Sequence, residues 1–153
     1  AMLRHQSALD LPLAAYTRAM TDVRWPARLQ KLRPGPLVGT RDVWLDGGHN
    51  PSAGEMLAAH FADKRVHLII GMLANKRPDA LIGPMRNSLA SVTAVPVPGH
   101  EYHPAAAFGQ SVASAPDVPA ALAALPDDGL PVLIAGSLYL AGEVLRLNGE
   151  MPD

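Results

Sequence analysis

The sequence predicts an α/β domain built on a doubly wound, mostly parallel sheet with helices on both faces. Three observations carry that expectation. Short β-rich runs alternate with segments of helical periodicity over most of the chain, an order that implies βαβ crossovers. Two of the runs, Val66-His67-Leu68-Ile69-Ile70-Gly71 and Val132-Leu133-Ile134-Ala135, are almost continuously apolar, as parallel strands covered on both faces are. The 153 residues, 48% hydrophobic and 18% charged, are enough for one domain with a real core.

Residues 1–22 read as a tag remnant (Ala1 ahead of Met2) followed by a linker and a helix over Leu11–Met20, and residues 23–150 read as the domain proper. A short strand at Arg28–Leu32 leads into the Pro34-Gly35-Pro36 turn, and Val43-Trp44-Leu45-Asp46 is the next strand. After Pro51, the residues Met56, Leu57, His60 and Phe61 recur at helical spacing. After the Val66–Gly71 strand, Leu81, Ile82, Met85 and Leu89 do the same, with Gly83-Pro84 expected to kink or interrupt that helix. A strand follows at Val92–Val97, then a helix at Val118–Leu125, the Val132–Ala135 strand, and a last helix with Leu138, Ala141, Val144 and Leu145 as its apolar stripe. Thirteen glycines and fifteen prolines without a repeating period fit short, tightly turned connections rather than a collagen-like chain.

Composition removes several function classes. A formal net charge of -1 argues against a general nucleic-acid binder, although Arg24, Arg28, Lys31 and Arg33 form a local basic cluster beside Trp25. The absence of cysteine excludes disulfides, thiolate zinc sites and thiol catalysis. No run is long and apolar enough to span a membrane, and no apolar h-region follows the N-terminus, so a cytoplasmic location is the default expectation. Neither GxxxxGK[ST] nor GxGxxG occurs, so those phosphate-binding devices are missing. His100-Glu101-Tyr102-His103 lacks the spacing of a helical zinc site and reads as solvated loop.

In an open parallel sheet, ligands bind outside the carboxyl ends of the strands. Three segments place polar residues there. In Asp46-Gly47-Gly48-His49-Asn50-Pro51 a carboxylate ends a strand, two glycines allow a tight turn, and Asn50-Pro51 starts a helix. Asp46 is suited to ribose hydroxyls and the helix start to an anion, while capping alone also accounts for Asn50. In Gly71-Met72-Leu73-Ala74-Asn75-Lys76 the ammonium of Lys76 is either a carboxylate or phosphate ligand at the crevice rim or a solvated loop charge. In Gly136-Ser137-Leu138-Tyr139 the hydroxyl of Ser137 can cap the helix or face a ligand.

These segments resemble the C-terminal domain of the folylpolyglutamate synthase / dihydrofolate synthase family, within the Mur ligase superfamily. Arg24-Trp25-Pro26-Ala27-Arg28-Leu29 matches a W-P-G-R-L/F pattern, Leu45–Pro51 matches D-x-A-H-N-P, and Gly71–Lys76 matches G-M-L-x-D-K. With Gly136–Val144 they follow the family order and cover the chain from about Arg24 to Leu147. The resemblance implies a Rossmann-like fold and an ATP-dependent ligase, which activates a folate carboxylate as an acyl phosphate for attack by the amine of glutamate. It implies that ATP and Mg2+ are held mainly by a preceding, larger domain absent from this chain. That domain, ATP, glutamate and a folate or dihydropteroate acceptor are the implied partners, with no nucleic acid and no membrane.

On the same pattern Arg28, Asp46 and Asn50 fall on the nucleotide side, Arg28 as a contact to phosphate or ribose and Asp46 as the ribose carboxylate. His49, Lys76 and Ser137 line the glutamate site, with Lys76 as the partner of a glutamate carboxylate, and no residue is assigned to catalysis or to a metal. Three positions depart from the pattern. Ala27 replaces Gly, which is expected to alter the turn before Arg28; Gly48 replaces Ala, expected to loosen the loop; Asn75 replaces Asp, removing a charge beside Lys76. Two other readings share the fold: a Mur-type cell-wall amino-acid ligase domain, and a non-catalytic α/β binding module.

Overall fold

The computed structural model describes residues 12–21 and 25–151. Ala1, Leu11 and Arg24, all used in the sequence reading, lie outside the described residues. Helix α1 spans Leu13–Thr21, and the sheet begins with β1 (Gln30–Lys31) and β2 (Val43–Asp46). Then come α2 (Pro51–His60), β3 (Val66–Ile70), α3 (Asp79–Met85), β4 (Leu89–Ala94) and β5 (Ala113–Ser114). The chain finishes with α4 (Val118–Ala124), β6 (Val132–Ala135) and α5 (Leu138–Asn148).

The six strands form one sheet in the order β1-β2-β6-β3-β4-β5. Only β1 is antiparallel, pairing Gln30 with Leu45 and Lys31 with Trp44. Strand β6, last in sequence, lies at the centre, with Asp46 of β2 and Ile70 of β3 both opposite Ala135. Period-two alternation divides the core between the two faces of the sheet. Val43, Leu45, Ile69, Val132 and Ile134 pack with α4 and α5 through Val118, Leu122, Ala141 and Val144. Val66, Leu68, Ile70 and Leu133 pack with α2 and α3 through Leu57, Phe61, Leu81 and Met85. The doubly wound expectation is therefore met. It has a consequence for ligands: α2 leaves β2 on one face and α5 leaves β6 on the other, so a crevice opens between the carboxyl ends of adjacent strands.

Local chemistry explains where the helices start. Asn50 caps α2, its Oδ1 accepting the Ala53 N–H at 2.9 Å ahead of Pro51. Asp117 caps α4 in the same way through the Ala120 N–H at 2.7 Å. Ser137 caps α5, which ends at Gly149 in the left-handed conformation (φ 70°).

Several expectations need correction. The fourth strand runs over Leu89–Ala94 rather than Val92–Val97, because Pro96 has no N–H to give a ladder. Leu89, assigned to a helix face, is its first residue. Helix α3 takes Gly83-Pro84 into its last turn, ends one residue later at Met85, short of Leu89, and gives way to a 3-10 turn over Arg86–Ser88. Pro84 removes the N–H that Ala80 O would otherwise accept, and that carbonyl packs instead onto Gly54 of α2, where a Cβ would collide with it. The two-residue β5 has no apolar run to announce it. Met56 and Leu138, read as stripe residues, are exposed. The basic cluster also disperses: Lys31 pairs with Asp42 at 2.8 Å and Arg33 with Glu150 at 3.2 Å.

Candidate functional site

The carboxyl ends of β2, β6 and β3 open onto a cavity of about 400 Å³ lined by His49, Leu73, Lys76, Gly136, Ser137, Leu138 and Tyr139. Each of the three strands supplies its following loop. Gly136 makes the sharp exit from β6 at φ 109°, where a Cβ would stand 2.8 Å from Gly71 O. Beside the cavity a groove of about 350 Å³ is lined by Leu73, Ala74, Asn75, Gly99, His100 and Glu101. The His100 ring stacks on Tyr139, centroids 3.8 Å apart and planes 30° apart, so the aromatic pair stands at the boundary of the two hollows.

Sequence placed His49, Lys76 and Ser137 on a common site, and the structure brings all three to this one cavity. His49 Nδ1 lies 3.3 Å from Gly47 O, a carbonyl that only accepts, so Nδ1 is the donor of that contact and holds the ring against its own turn. Ser137 is buried, and its Oγ accepts the Tyr139 N–H at 3.2 Å. Capping uses a lone pair and leaves the hydroxyl proton, so the two roles weighed for Ser137 are compatible. Lys76 is half-buried, and among the described residues its ammonium has no ion-pair or hydrogen-bond partner. The lining offers the Lys76 ammonium and the Ser137 hydroxyl proton as donors and contains no carboxylate, a set suited to an anion.

The residues expected on the nucleotide side are arranged differently. Arg28 is exposed at the end of β2, its guanidinium donating to Ala27 O at 3.3 Å and lying over Gly47 beside Leu138. Asn50 is committed to its helix cap. Asp46 is 1% exposed, Oδ2 accepting the Leu29 N–H at 2.7 Å and Oδ1 the Gly48 N–H at 2.6 Å. Each oxygen thus accepts one backbone N–H and keeps a second lone pair, so these bonds do not themselves use up the acceptor capacity that the ribose contact expected of Asp46 from sequence calls for. The carboxylate ties the Arg28 loop to the His49 turn.

Two of the sequence departures fall in these loops. Ala27 (φ 55°) and Leu29 (φ 44°) both lie in the left-handed region, a conformation that Gly adopts without cost and Ala only under strain. Gly48 sits in a closely packed turn. A Cβ there would collide with Ala53 Cβ and stand 2.6 Å from Asp46 Oδ1, so the glycine lets the turn close on the carboxylate.

Sequence reasoning missed His103. Read as solvated, it is half-buried, and its Nε2 lies 2.7 Å from Lys76 O. Its partner stands 27 positions away and no local pattern announces the contact. Among the described residues no three His, Asp or Glu side chains converge to hold a metal ion, and no helix is long and apolar enough to cross a membrane.

No family model matches the chain. Among curated proteins it is similar to folylpolyglutamate synthase of Lacticaseibacillus casei, 31% identical over 136 residues that cover 78% of this chain and 29% of that protein. Among solved structures it is similar to bifunctional folylpolyglutamate synthase/dihydrofolate synthase of Yersinia pestis CO92, with a TM-score of 0.75, 22% identity, and coverage of 95% of this chain and 36% of the other. A bifunctional synthase solved with Mn, AMPPNP and L-glutamate gives a TM-score of 0.75 at 23% identity, covering 95% and 37%. The structural likenesses establish the fold. The chain spans less than a third of the curated relative and little more than a third of the structures.

Proposed function

We propose that this chain, which belongs to the folylpolyglutamate synthase/dihydrofolate synthase family and matches the C-terminal part of its members, supplies the glutamate site of an ATP-dependent folate ligase. The observation that carries the reading is the cavity at the carboxyl ends of β2, β6 and β3. Lys76, His49 and Ser137 converge there with no carboxylate among the lining residues. A dianionic amino acid would find an ammonium for one carboxylate and a hydroxyl proton for a further hydrogen bond. A likeness to a synthase solved with AMPPNP and L-glutamate supports the ligand assignment.

The chemistry is a condensation. The γ-phosphoryl group of ATP activates the acceptor carboxylate as an acyl phosphate; the glutamate amine forms the C–N bond, phosphate leaves and the amine loses a proton. This chain's residues bind and orient the amine donor. Lys76 holds a carboxylate, Ser137 and His49 fix the remainder, and Arg28, exposed at the rim, meets phosphate or ribose of a nucleotide seated in a preceding domain. Asp46 acts beneath them by keeping the Arg28 loop and the His49 turn in register, and Asn50 holds the start of α2. Closing this face over the nucleotide excludes water from a hydrolysable acyl phosphate. Magnesium and the triphosphate belong to the preceding domain on this reading, the acceptor is a folate or dihydropteroate, and the enzyme is cytoplasmic.

The test is ATP-dependent incorporation of labelled glutamate by the complete enzyme, onto tetrahydrofolate and separately onto dihydropteroate, with Arg28→Ala alongside. Incorporation onto either acceptor, weakened in the variant through a raised KM for ATP, is expected. A folded enzyme that binds ATP and incorporates glutamate onto neither acceptor would overturn the proposal in favour of a Mur-type ligase with another acceptor.

A further inference from the structure

We propose that His103 is a positioning residue for Lys76 and thereby sets how tightly the cavity holds glutamate; the inference rests on the reading of the cavity above. Lys76 lies six residues beyond the end of β3, on a loop that the sheet itself does not fix. The segment after β4 fixes it. Ala74 N–H donates to Glu101 O at 3.0 Å, His103 N–H donates to Met72 O at 3.0 Å, and Leu73 bridges Tyr102 in antiparallel fashion. These contacts hold residues 72–74.

Lys76 itself is held by two bonds. Its N–H donates to Leu73 O at 2.9 Å, and its carbonyl accepts from His103 Nε2 at 2.7 Å. A carbonyl only accepts, so the Nε2 proton is fixed by this bond. The ring is held in turn by Phe108, edge-on with centroids 6.1 Å apart and an interplanar angle of 81°. Phe108 is buried in the core on the α2–α3 face. A continuous line of contacts therefore runs from core to Phe108, to His103, to the Lys76 backbone, and ends at an ammonium in the cavity. His103 is not among the cavity-lining residues, so it acts through Lys76 rather than on a ligand. Without the His103 bond the lysine samples several placements, and an ion pair with a carboxylate must order it first.

The test uses the complete enzyme, with glutamate and ATP varied separately. His103→Leu keeps an apolar contact for Phe108 and removes the donor. It should raise KM for glutamate about tenfold while kcat and KM for ATP stay within about twofold. His103→Gln, which returns an N–H donor at similar reach, should recover most of the loss. If His103→Leu does not fold, His103→Asn takes its place, because its shorter amide falls short of the carbonyl, and the same rise is expected.

An unchanged glutamate KM, parallel rises for glutamate and ATP, or a Gln variant no better than Leu would overturn the positioning role. Lys76→Met in the same assay separates the two claims. If it leaves the glutamate KM unchanged, or the unaltered enzyme incorporates no glutamate, the cavity reading fails and the positioning role falls with it.

Discussion

Replacing Asp46 by Asn is the sharpest probe of how the site is held. The side chain keeps its shape, but one oxygen becomes an NH2 group. In the native arrangement both oxygens accept from backbone, Leu29 N–H at 2.7 Å and Gly48 N–H at 2.6 Å, in a residue 1% exposed. Whichever way the amide turns, it places a donor against a donor. The variant loses one charge-assisted hydrogen bond, about 1.5–3 kcal/mol, and strands a shielded backbone N–H. A net loss of about 2–4 kcal/mol follows, equivalent to roughly 5–15 °C in unfolding midpoint for a domain of this size. Urea unfolding of the chain, with amide exchange read at Leu29 and Gly48, measures it. Both amides should lose protection ahead of the sheet. An Asp46→Asn chain within about 0.5 kcal/mol of the original, with both amides still protected, would refute the argument that the carboxylate ties these two loops together.

Three further outcomes follow from the same structure. Gly54→Ala should destabilise the fold by about 1–2 kcal/mol in urea, because overpacking against a backbone carbonyl and Pro84 Cγ at 3.1 Å outweighs the roughly 1 kcal/mol gained in helix propensity; a stabilised variant would contradict the α2–α3 packing. The Leu130 N–H, and after it hydrogen bonding to His67, hold the Asp128 carboxyl below its ordinary 3.8. A depressed carboxyl stabilises the fold above its unfolded pKa, and that contribution is lost as pH falls from about 4 toward the folded value; Asp128→Asn should flatten this acid limb, and an identical acid unfolding curve would count against the pair. The chain alone should turn over no ATP, since it carries no phosphate loop, and steady ADP release by the purified chain would contradict the division of labour.

Much of the fold was legible because its signals are local. The apolar runs of β3 and β6 and the Asn50-Pro51 and Ser137 helix starts need only a few neighbouring residues to be read. Because the sheet is parallel, the loops read as polar strand ends had to meet on one edge, which is why His49, Lys76 and Ser137 share a cavity. Elsewhere the deciding partner is remote in sequence. The fate of Asp46 depends on Leu29, 17 positions away, and that of His103 on Lys76, 27 away. The packing of the Ala80 carbonyl, left without a donor by Pro84, depends on a glycine in another helix. Strand β5 has two residues, too few for a period to be seen.

The central claim is that Lys76 holds a carboxylate of the incoming glutamate. The direct measurement is the KM for glutamate of the complete enzyme carrying Lys76→Met, with KM for ATP determined alongside. Loss of a charge-assisted contact predicts a rise of roughly 10–100-fold for glutamate and none for ATP. A glutamate KM left as it was, in a folded enzyme that incorporates glutamate at the ordinary rate, would contradict the account.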